Sequence, residues 1–262
     1  MLKISIITVV KNGMPYLKTS IKSFQLQNFS NKEHIIVCSK SSDDTELYLK
    51  SIKDINTKII IDDVSKNRYG AINKGIESST GDVIGLLHSD DIFYNDDTLE
   101  IINKNFINDV NCVYGDILFC EKKNINFINR IWISSKFEKK KLSYGWTPPH
   151  TSLFIKKNLL IDNLYNEDFE ISGDYYFILK LFSSNNIKPK YVNEYFSIMR
   201  QGGDSTKINK FILKFKEDLK IANFFFKKHY LCIFLKIFSK IFQINIFTKK
   251  VKSTYLDKIN LS

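Results

Sequence analysis

The sequence predicts an α/β fold with a mixed central sheet, followed by amphipathic helices at the C-terminus. Between residues 3 and 87, four short runs rich in Ile and Val alternate with helical segments, a pattern typical of βαβ units and a parallel sheet. From about Asn111 the apolar runs follow one another more closely, which indicates paired, antiparallel strands. After Gly203 the composition changes to Lys, Phe and Ile, and the apolar residues recur at helical spacing.

Each predicted element has its own local signal. The first run, 3–10, is almost continuously β-branched and ends at an Asn-Gly pair, as in a strand buried on both faces. Pro15 then suits a first helical turn, and apolar residues between Leu17 and Phe24 repeat at helical spacing. Further strands are predicted over 34–38, 58–61, 82–87, 112–119, 125–133, 147–155 and 191–199, and further helices over about 68–79 and 174–183.

The net charge of +11 belongs to the C-terminal segment. Residues 205–262 hold 13 lysines against three acids, a charge of +10, whereas residues 1–204 carry only +1. The chain has just three arginines, and proteins that recognise specific bases favour Arg. We therefore expect no nucleic-acid partner, and an anionic lipid surface is the better match for so many lysines.

The four cysteines and the N-terminus predict a protein that stays in the cytoplasm. Cys38, Cys112, Cys120 and Cys232 are widely separated and form no CxxC pair, so we expect buried free thiols in a reducing compartment. The apolar run near the N-terminus is too short for the core of a signal peptide.

The segment His88-Ser89-Asp90-Asp91 follows the fourth predicted strand directly. Ligands of open α/β sheets bind beyond the C-terminal ends of the strands. Two adjacent carboxylates there are costly to ionise unless a cation compensates them, and Mg²⁺ or Mn²⁺ bound together with substrate phosphates suits such a pair. The alternative is that Asp90 and Asp91 only cap the turn or helix that follows.

Seven segments share their order and spacing with one known family: 4–12, 69–76, 79–91, 113–116, 149–154, 171–176 and 202–205. Together they resemble glycosyltransferase family 2, a nucleotide-sugar domain of GT-A (Rossmann-like) fold, and especially its branch that acts on bacterial surface polysaccharides. The resemblance covers about residues 3–206. It implies a transferase domain over 1–206 and a basic helical tail, rich in Phe and Ile, over 207–262.

The resemblance also implies roles for individual acids. Asp90 and Asp91 match the family's DxD-type acids, which hold Mn²⁺ or Mg²⁺ and contact the ribose or diphosphate of the donor, with a UDP-sugar as the expected donor. Asp174 matches the catalytic base at the start of a helix that faces the acceptor; its alternative role is a helix N-cap.

Three further positions match the nucleotide side of the family's site. Thr8 lies at the edge after the first strand, and Asn73 and Lys74 lie in the Asn-Lys-Gly segment beside the nucleotide-sugar. His150 matches a Pro-His segment near the acceptor, with a structural turn residue as the alternative. His88 is open between a neighbour of the metal or phosphate and a packing residue.

The resemblance implies an inverting, metal-dependent glycosyltransferase. One carboxylate takes the proton of the incoming hydroxyl from the side opposite the leaving group, and a double displacement would need a second carboxylate as nucleophile, for which no candidate stands out. The expected acceptor is a glycan or lipid-linked oligosaccharide in capsule, O-antigen or exopolysaccharide synthesis. A nucleotidyltransferase or a dinucleotide enzyme is disfavoured, because the loop after the first strand has a single Gly and GxGxxG is absent.

Three departures from the family pattern leave the recognition of the base open. Cys38, Ser65 and Gly70 stand where relatives carry acids. A degenerate, non-catalytic binding module of a membrane glycan assembly is therefore the alternative function, although Asp90, Asp91 and Asp174 are all present.

The tail has two interpretations. Lys236 and Lys240 interrupt its most apolar stretch, which argues against a membrane-spanning helix. A pair of interfacial helices would hold the enzyme peripherally on the inner face of the cell membrane. Alternatively, the tail packs on the transferase domain or forms a homodimer interface.

Overall fold

The computed structural model describes residues 1–202, 208–241, 244–250 and 254–260. Its first part alternates strands and helices as the apolar pattern predicts. The elements up to residue 104 are β1 (Ile4–Val10), α1 (Tyr16–Gln25), β2 (Lys32–Cys38), α2 (Thr45–Ser51), β3 (Thr57–Ile61), α3 (Arg68–Ser78), β4 (Val83–Leu86), β5 (Ile92–Phe93) and α4 (Thr98–Lys104).

The second part of the chain is mixed. Two short 3₁₀ helices, Lys139–Tyr144 and His150–Ser152, lie between its strands. The remaining elements are β6 (Cys112–Cys120), β7 (Phe127–Trp132), β8 (Phe154–Lys156), α5 (Lys157–Ile161), α6 (Gly173–Ser183), β9 (Pro189–Arg200), α7 (Ile208–Phe225), α8 (His229–Ile241), β10 (Ile244–Lys250) and α9 (Thr254–Asn260).

One mixed sheet organises the molecule, in the order β10-β7-β6-β8-β4-β1-β2-β3. β1 pairs in parallel with β2 and β4, and β2 pairs in parallel with β3. β6 pairs antiparallel with β7 and β8, while β9 runs parallel to β6 and pairs antiparallel with β5. The predicted mixed α/β sheet is therefore confirmed. β4 lies near its centre, between β8 and β1.

The largest hydrophobic cluster joins the sheet to the C-terminal helices. Ile7 and Ile84 of the central strands belong to it, and so do Ile221 and Ala222 of α7 and Ile233 of α8. The helical hairpin of α7 and α8 thus packs one face against the central sheet. None of the helices in the described ranges is both long enough and apolar enough to span a bilayer.

Two predicted segments differ in the structure. The strand expected over 147–155 is a 3₁₀ turn followed by the short β8, because Pro148 and Pro149 have no N–H for a ladder. The tail is not helical throughout, since β10 pairs antiparallel with β7 and extends the sheet. Gly203, Asp204 and Ser205 of the last matching segment lie outside the described residues.

A buried histidine holds β1 against β2. His34 Nε2 lies 2.8 Å from Thr8 Oγ1, and that hydroxyl donates to the Leu87 carbonyl at 2.7 Å. Since the hydroxyl proton is already used, Nε2–H must donate to Thr8, and Nδ1 is left without a partner among the described residues. Burial, with a smaller contribution from Lys32, lowers the pKa of His34 to about 3, so this ring is neutral in the folded protein.

We expect this histidine to make the protein sensitive to acid. Above a pH of about 6.5 the His34 ring is neutral in both the folded and the unfolded protein. Below that pH the ring binds a proton in the unfolded chain, whereas in the folded protein it stays neutral down to a pH of about 3. The free energy of unfolding should therefore fall by about 2 kcal/mol between pH 7 and pH 5 from His34 alone. Urea denaturation at both pH values measures this loss. His34→Leu should lessen the loss by that amount, and His229→Gln in α8 is the control; an unchanged pH dependence in His34→Leu would contradict the prediction.

Candidate active site

The turn after β4 carries the predicted acidic pair. The Asp91 N–H donates to the His88 carbonyl at 3.1 Å, which closes the turn, and Ser20 of α1 donates to the same carbonyl at 2.9 Å. Asp90 is half-buried and Asp91 is buried. The turn is therefore clamped between the sheet and α1, at the sheet edge where ligands of α/β proteins bind.

One carboxylate oxygen of Asp91 accepts a hydrogen bond, and the other has no partner among the described residues. Its Oδ1 accepts the backbone N–H of Arg200 at 3.1 Å, whereas Oδ2 is buried with no hydrogen-bond partner in the part of the chain that the structure describes. Burial and the charge of Asp90 raise the pKa of Asp91 well above the usual range. Neither acid caps the next helix, whose N-cap position is Asp97.

A divalent cation fits this environment. An unpartnered buried carboxylate oxygen is costly, and a cation would satisfy it. Mg²⁺ and Mn²⁺ commonly use one or two protein carboxylates and complete their shell with water and substrate phosphates. Within the described ranges no cluster of three or more His, Cys, Asp or Glu side chains is arranged to hold a metal ion. Asp91, with Asp90 beside it, is the donor set that a nucleotide-bound cation would use.

Arg200 is a site residue that motif reasoning did not single out. Besides its backbone bond to Asp91, its guanidinium donates to the Lys122 carbonyl at 3.0 Å and to Thr19 Oγ1 at 3.1 Å. It also lies 4.8 Å from the ring centre of Tyr16. The signal was available, since Arg200 is one of three arginines and comes two residues before a Gly-Gly pair.

Asp174 lies in the first turn of α6, where the helix dipole favours a negative charge. Its Oδ1 accepts the N–H of Tyr175 at 2.8 Å. Burial alone would raise the pKa of Asp174, but His150, Lys214 and Lys236 together with this N–H hold it below its usual range. The carboxylate is therefore ionised at neutral pH and able to accept a proton.

The segment ahead of Asp174 is held by the C-terminal hairpin. The Glu217 carboxylate of α7 accepts three consecutive backbone N–H groups, those of Glu170, Ile171 and Ser172, at 2.8, 3.0 and 2.7 Å. A single side chain of α7 thus fixes the start of α6, and with it the direction of Asp174. No local pattern in the sequence announces this contact.

Two histidines approach Asp174 from the sheet side. His150 Nε2 lies 2.7 Å from Tyr165 Oη, and the rings of His88 and His150 are 6.2 Å apart at their centres. Burial, with contributions from His88 and Arg68, lowers the pKa of His150 to about 4. Burial likewise lowers the pKa of His88. Both rings are thus neutral donors or acceptors at physiological pH.

A cavity of about 680 Å³ joins these groups. His88, His150 and Asp174 all line it, as do both tryptophans of the chain, Trp132 and Trp146. The cavity therefore extends from the turn after β4 to the start of α6. Its volume lies in the range of sites that bind small molecules.

The three nucleotide-side positions lie close to this region but are bonded within the protein. Thr8 is fully buried in the bonds to His34 and Leu87 described above. The Asn73 amide donates to the Tyr165 carbonyl at 2.9 Å and accepts its N–H at 2.8 Å, so Asn73 positions the partner of His150. Lys74 Nζ lies 2.8 Å from Asp62 Oδ1. Nucleotide contact by these residues stays a prediction.

Asp116, which matched a family segment, supports the fold. Its carboxylate accepts the Ser134 N–H at 2.7 Å and the Tyr191 hydroxyl at 3.1 Å, and it is buried in β6. Burial raises the pKa of Asp116. These bonds tie β6 to the chain after β7 and to β9.

Glu167 lies beside Gly70, one of the positions where relatives carry an acid. A Cβ at Gly70 would lie 2.8 Å from Glu167 Oε2 and 3.2 Å from the Ser65 Cβ. Glu167 thus takes the space of a side chain at position 70, and its Oε1 lies 3.3 Å from the Asn73 amide nitrogen. Cys38 is fully buried, and burial raises the pKa of its thiol.

Gly70→Asp, which introduces the acid expected from the family, should therefore destabilise the protein. The new side chain overlaps Glu167 and brings two carboxylates together, so we expect a loss of about 2 kcal/mol in the free energy of unfolding. Urea denaturation measures the change. Adding Glu167→Ala should restore most of the loss, whereas Gly70→Asp as stable as the wild type would contradict this packing.

Comparisons with known proteins agree with this geometry. The family model described as glycosyl transferase family 2 matches residues 5–163. An uncharacterized glycosyltransferase of Haemophilus influenzae is 27% identical over 241 residues, covering 90% of this chain and 92% of the relative. The Escherichia coli enzyme WfgD, named UDP-Glc:alpha-D-GlcNAc-diphosphoundecaprenol beta-1,3-glucosyltransferase, is 25% identical over 208 residues, covering 79% of this chain and 81% of WfgD.

Solved structures show the same fold. S. aureus TarS 1–349 in complex with UDP-GlcNAc superposes with a TM-score of 0.65 at 16% identity, over 84% of this chain and 65% of TarS 1–349. Mannosyltransferase PcManGT from Pyrobaculum calidifontis, in complex with GDP-Man and Mn²⁺, gives 0.59 at 13% identity, over 89% of this chain and 64% of that one. This chain therefore spans less than two thirds of each solved chain.

The expected family and fold are both confirmed. A mixed sheet of GT-A type places Asp174 and His88, the residue ahead of the acidic pair, on one cavity, and the family model covers more than half of the chain. The protein is a glycosyltransferase and belongs to glycosyl transferase family 2.

Proposed function

We propose that this protein is an inverting, metal-dependent transferase that moves a sugar from a nucleotide-sugar, a UDP-sugar by preference, to a glycan or lipid-linked acceptor in surface-polysaccharide synthesis. One observation carries the proposal: an ionised carboxylate, Asp174, shares a cavity with His88 of the turn that bears Asp90 and Asp91. A proton acceptor thus shares a cavity with the turn at which we propose that the donor binds.

Asp174 takes the proton of the acceptor hydroxyl as that oxygen attacks the sugar. Its lowered pKa keeps it ionised well below neutral pH, so the base is available across the physiological range. A positioned base of this kind contributes roughly 10²- to 10⁴-fold to a rate. His150, fixed by Tyr165, is close enough to the cavity to orient the acceptor hydroxyl.

Asp91 and Asp90 hold the donor at the turn after β4, next to His88. Bound there together with the diphosphate, Mn²⁺ or Mg²⁺ would neutralise the charge that develops on the leaving nucleotide. The Asp91 oxygen without a partner supports this assignment. Since Asp174 is the one carboxylate among the described side chains that line the cavity, direct displacement with inversion is favoured over a covalent intermediate.

Two relatives support the donor and acceptor classes. The name of WfgD specifies a UDP-sugar donor and a diphosphoundecaprenol-linked acceptor, and TarS was solved with UDP-GlcNAc. The alternative, a non-catalytic binding module, would require that Asp90, Asp91 and Asp174 take no part in a reaction. Nucleotide release from a panel of UDP-, GDP- and dTDP-sugars, with Mn²⁺ or with EDTA, tests the proposal. Metal-dependent release from at least one donor is expected, and none from any donor would overturn it.

We also propose that the outer face of the α7–α8 hairpin docks on an anionic membrane, which would hold the enzyme at the inner face of the cell membrane. Large apolar side chains are exposed there, including Phe211, Phe224 and Phe234 at 61%, 73% and 62%. Exposed lysines such as Lys216 and Lys228 flank them. Phe and Lys exposed side by side match the boundary between acyl chains and anionic headgroups.

Removing the tail is a poor test of docking, because Glu217 and Ile221 support the core. The full chain with Phe211→Ser, Phe224→Ser and Phe234→Ser should keep its fold and lose flotation with vesicles of phosphatidylglycerol and phosphatidylethanolamine. Equal flotation of the variant and the wild type would overturn membrane docking. A concentration-dependent dimer that the variant loses, without flotation of the wild type, would assign the face to a second copy instead.

A further inference from the structure

The cavity has a cationic wall that the reaction at Asp174 does not require. Lys214 of α7, Lys236 and Lys240 of α8 and Arg130 of β7 all line it. Asp174 is the one acidic residue among the lining residues that the structure describes. A cavity for neutral sugars alone has no need of four cations.

Nearby carboxylates balance this wall only in part. Asp218 lies 3.0 Å from Lys236 Nζ and 3.5 Å from Lys214 Nζ, so one buried carboxylate is shared by two lysines. Lys236 also lies 3.1 Å from the ring centre of Tyr175, and burial lowers the pKa of Lys236 to about 8. Lys240 makes no hydrogen bond or ion pair with the described residues, and burial, followed by the charge of Lys214, lowers its pKa. Asp218 and Asp174 are the described acids that face Lys214, Lys236 and Lys240, so one lysine charge of the three is left over.

The wall shares its cavity with Asp174 and not with the acidic pair. Lys214, Lys236 and Lys240 line the cavity together with Asp174, whereas Asp90 and Asp91 are not among the lining residues. His88 lines the cavity from the turn after β4. A donor diphosphate held at Asp90 and Asp91 would therefore leave the lysines free for another ligand.

Apolar surface continues from the lysines to the outside. Trp132, Trp146 and Ile131 line the same cavity, and Ile133 and Tyr144 at its lining are 63% and 59% exposed. Lys240 and the exposed Phe234 both belong to α8, the helix that carries the proposed membrane face. A ligand that enters along this path would meet apolar side chains first and cations next.

We propose that the wall of Lys214, Lys236, Lys240 and Arg130 binds the phosphate or diphosphate of an acceptor that is linked to an isoprenoid lipid. This rests on the proposed function and names its acceptor class. Lys240 has no partner among the described residues, and charge-assisted hydrogen bonds from lysine to phosphate are among the stronger polar contacts. The lipid chain leaves across the tryptophans toward the membrane face, and the sugar is held at Asp174.

The two tryptophans make the site directly observable. Both line this cavity, so quenching of intrinsic fluorescence reports binding there without any knowledge of the natural acceptor. Geranyl diphosphate serves as the probe, with geraniol as the probe without charge and inorganic pyrophosphate as the probe without a chain. Geranyl diphosphate is expected to bind at least tenfold more tightly than either.

Lys240→Gln is the test variant, because it removes a charge that has no partner among the described residues. Its affinity for geranyl diphosphate should fall about tenfold, and Lys216→Gln, on the exposed side of α7, should stay within twofold of the wild type. Lys214→Gln is the second variant, for use if Lys240→Gln unfolds at a lower temperature than the wild type. Calorimetric binding of UDP with Mn²⁺ should change less than twofold in each.

The outcomes separate the two proposals. Equal binding of geraniol, or unchanged geranyl diphosphate affinity in both lysine variants, would overturn the phosphate site. Equal binding of pyrophosphate would replace the lipid-linked acceptor by a free anion. A parallel loss of UDP affinity would assign the lysines to the donor. If UDP did not bind the wild type, the proposed function would be overturned, whereas the binding of geranyl diphosphate measured by fluorescence would still hold.

Discussion

Asp174→Asn is expected to lower turnover about 1,000-fold while the protein stays folded. Asn keeps the size of the side chain, and its amide oxygen still accepts the Tyr175 N–H, but it takes no proton from an acceptor hydroxyl. The proposed donor site is the turn after β4, so the affinity for UDP with Mn²⁺ should change little. The measurement is the rate of nucleotide release in the presence of acceptor, together with calorimetric binding of UDP.

Asp168→Asn is the matched control for this variant. Its side chain is 82% exposed and pairs with Lys66 at the surface at 3.6 Å, so turnover should stay near that of the wild type. An Asp174→Asn enzyme within tenfold of wild-type turnover would exclude Asp174 as the base. If Asp174→Asn lost its folded structure, the result would instead show that the hydrogen bond from the Tyr175 N–H to this side chain is needed for the fold. Thermal unfolding detects such a loss.

Asp91→Asn is expected to lower turnover by about 100-fold or more, because it removes charge from the proposed cation site. The free energy of unfolding, in contrast, should not fall. The Asn oxygen still accepts the Arg200 N–H, and the variant no longer buries a carboxylate whose pKa is raised by burial. The free energy of unfolding at pH 7 should therefore stay equal or rise, as measured by urea denaturation.

Asp97→Asn provides the comparison for Asp91→Asn. Asp97 is exposed at the start of α4, and its carboxylate accepts the Asn28 amide at 2.8 Å. Activity should be unaffected there. If Asp91→Asn kept full Mn²⁺-dependent activity, the cation would have to bind elsewhere.

Local patterns were enough to predict much of the fold and the main candidates. The strand 3–10 and the helix 174–183 are confirmed almost to the residue, because their apolar periodicity is continuous. The turn at Asp90 and Asp91 follows from the strand that precedes it. These features depend on short stretches of chain, where spacing and residue type carry the information.

Features created by tertiary packing were not predictable in this way. Glu217 supports α6 from 45 to 47 residues away, and Arg200 reaches Asp91 across 109. The hydrogen bond from the Asn73 amide to the Tyr165 carbonyl spans 92 residues and has no local signal either. The lysines of α7 and α8 indicated a membrane surface by composition, yet Lys236 points into the cavity. One-dimensional patterns do not show which face of a helix meets which partner.

The most direct test is a crystal structure of the protein soaked with UDP and Mn²⁺. Mn²⁺ is expected at Asp91 and the diphosphate of UDP beside the turn after β4, with the Asp174 carboxylate facing the terminal phosphate of UDP. The lysine wall of α7 and α8 should remain free of the nucleotide. UDP bound with its diphosphate on Lys236 and Lys240, with Asp91 untouched, would contradict the placement of donor, metal and base alike.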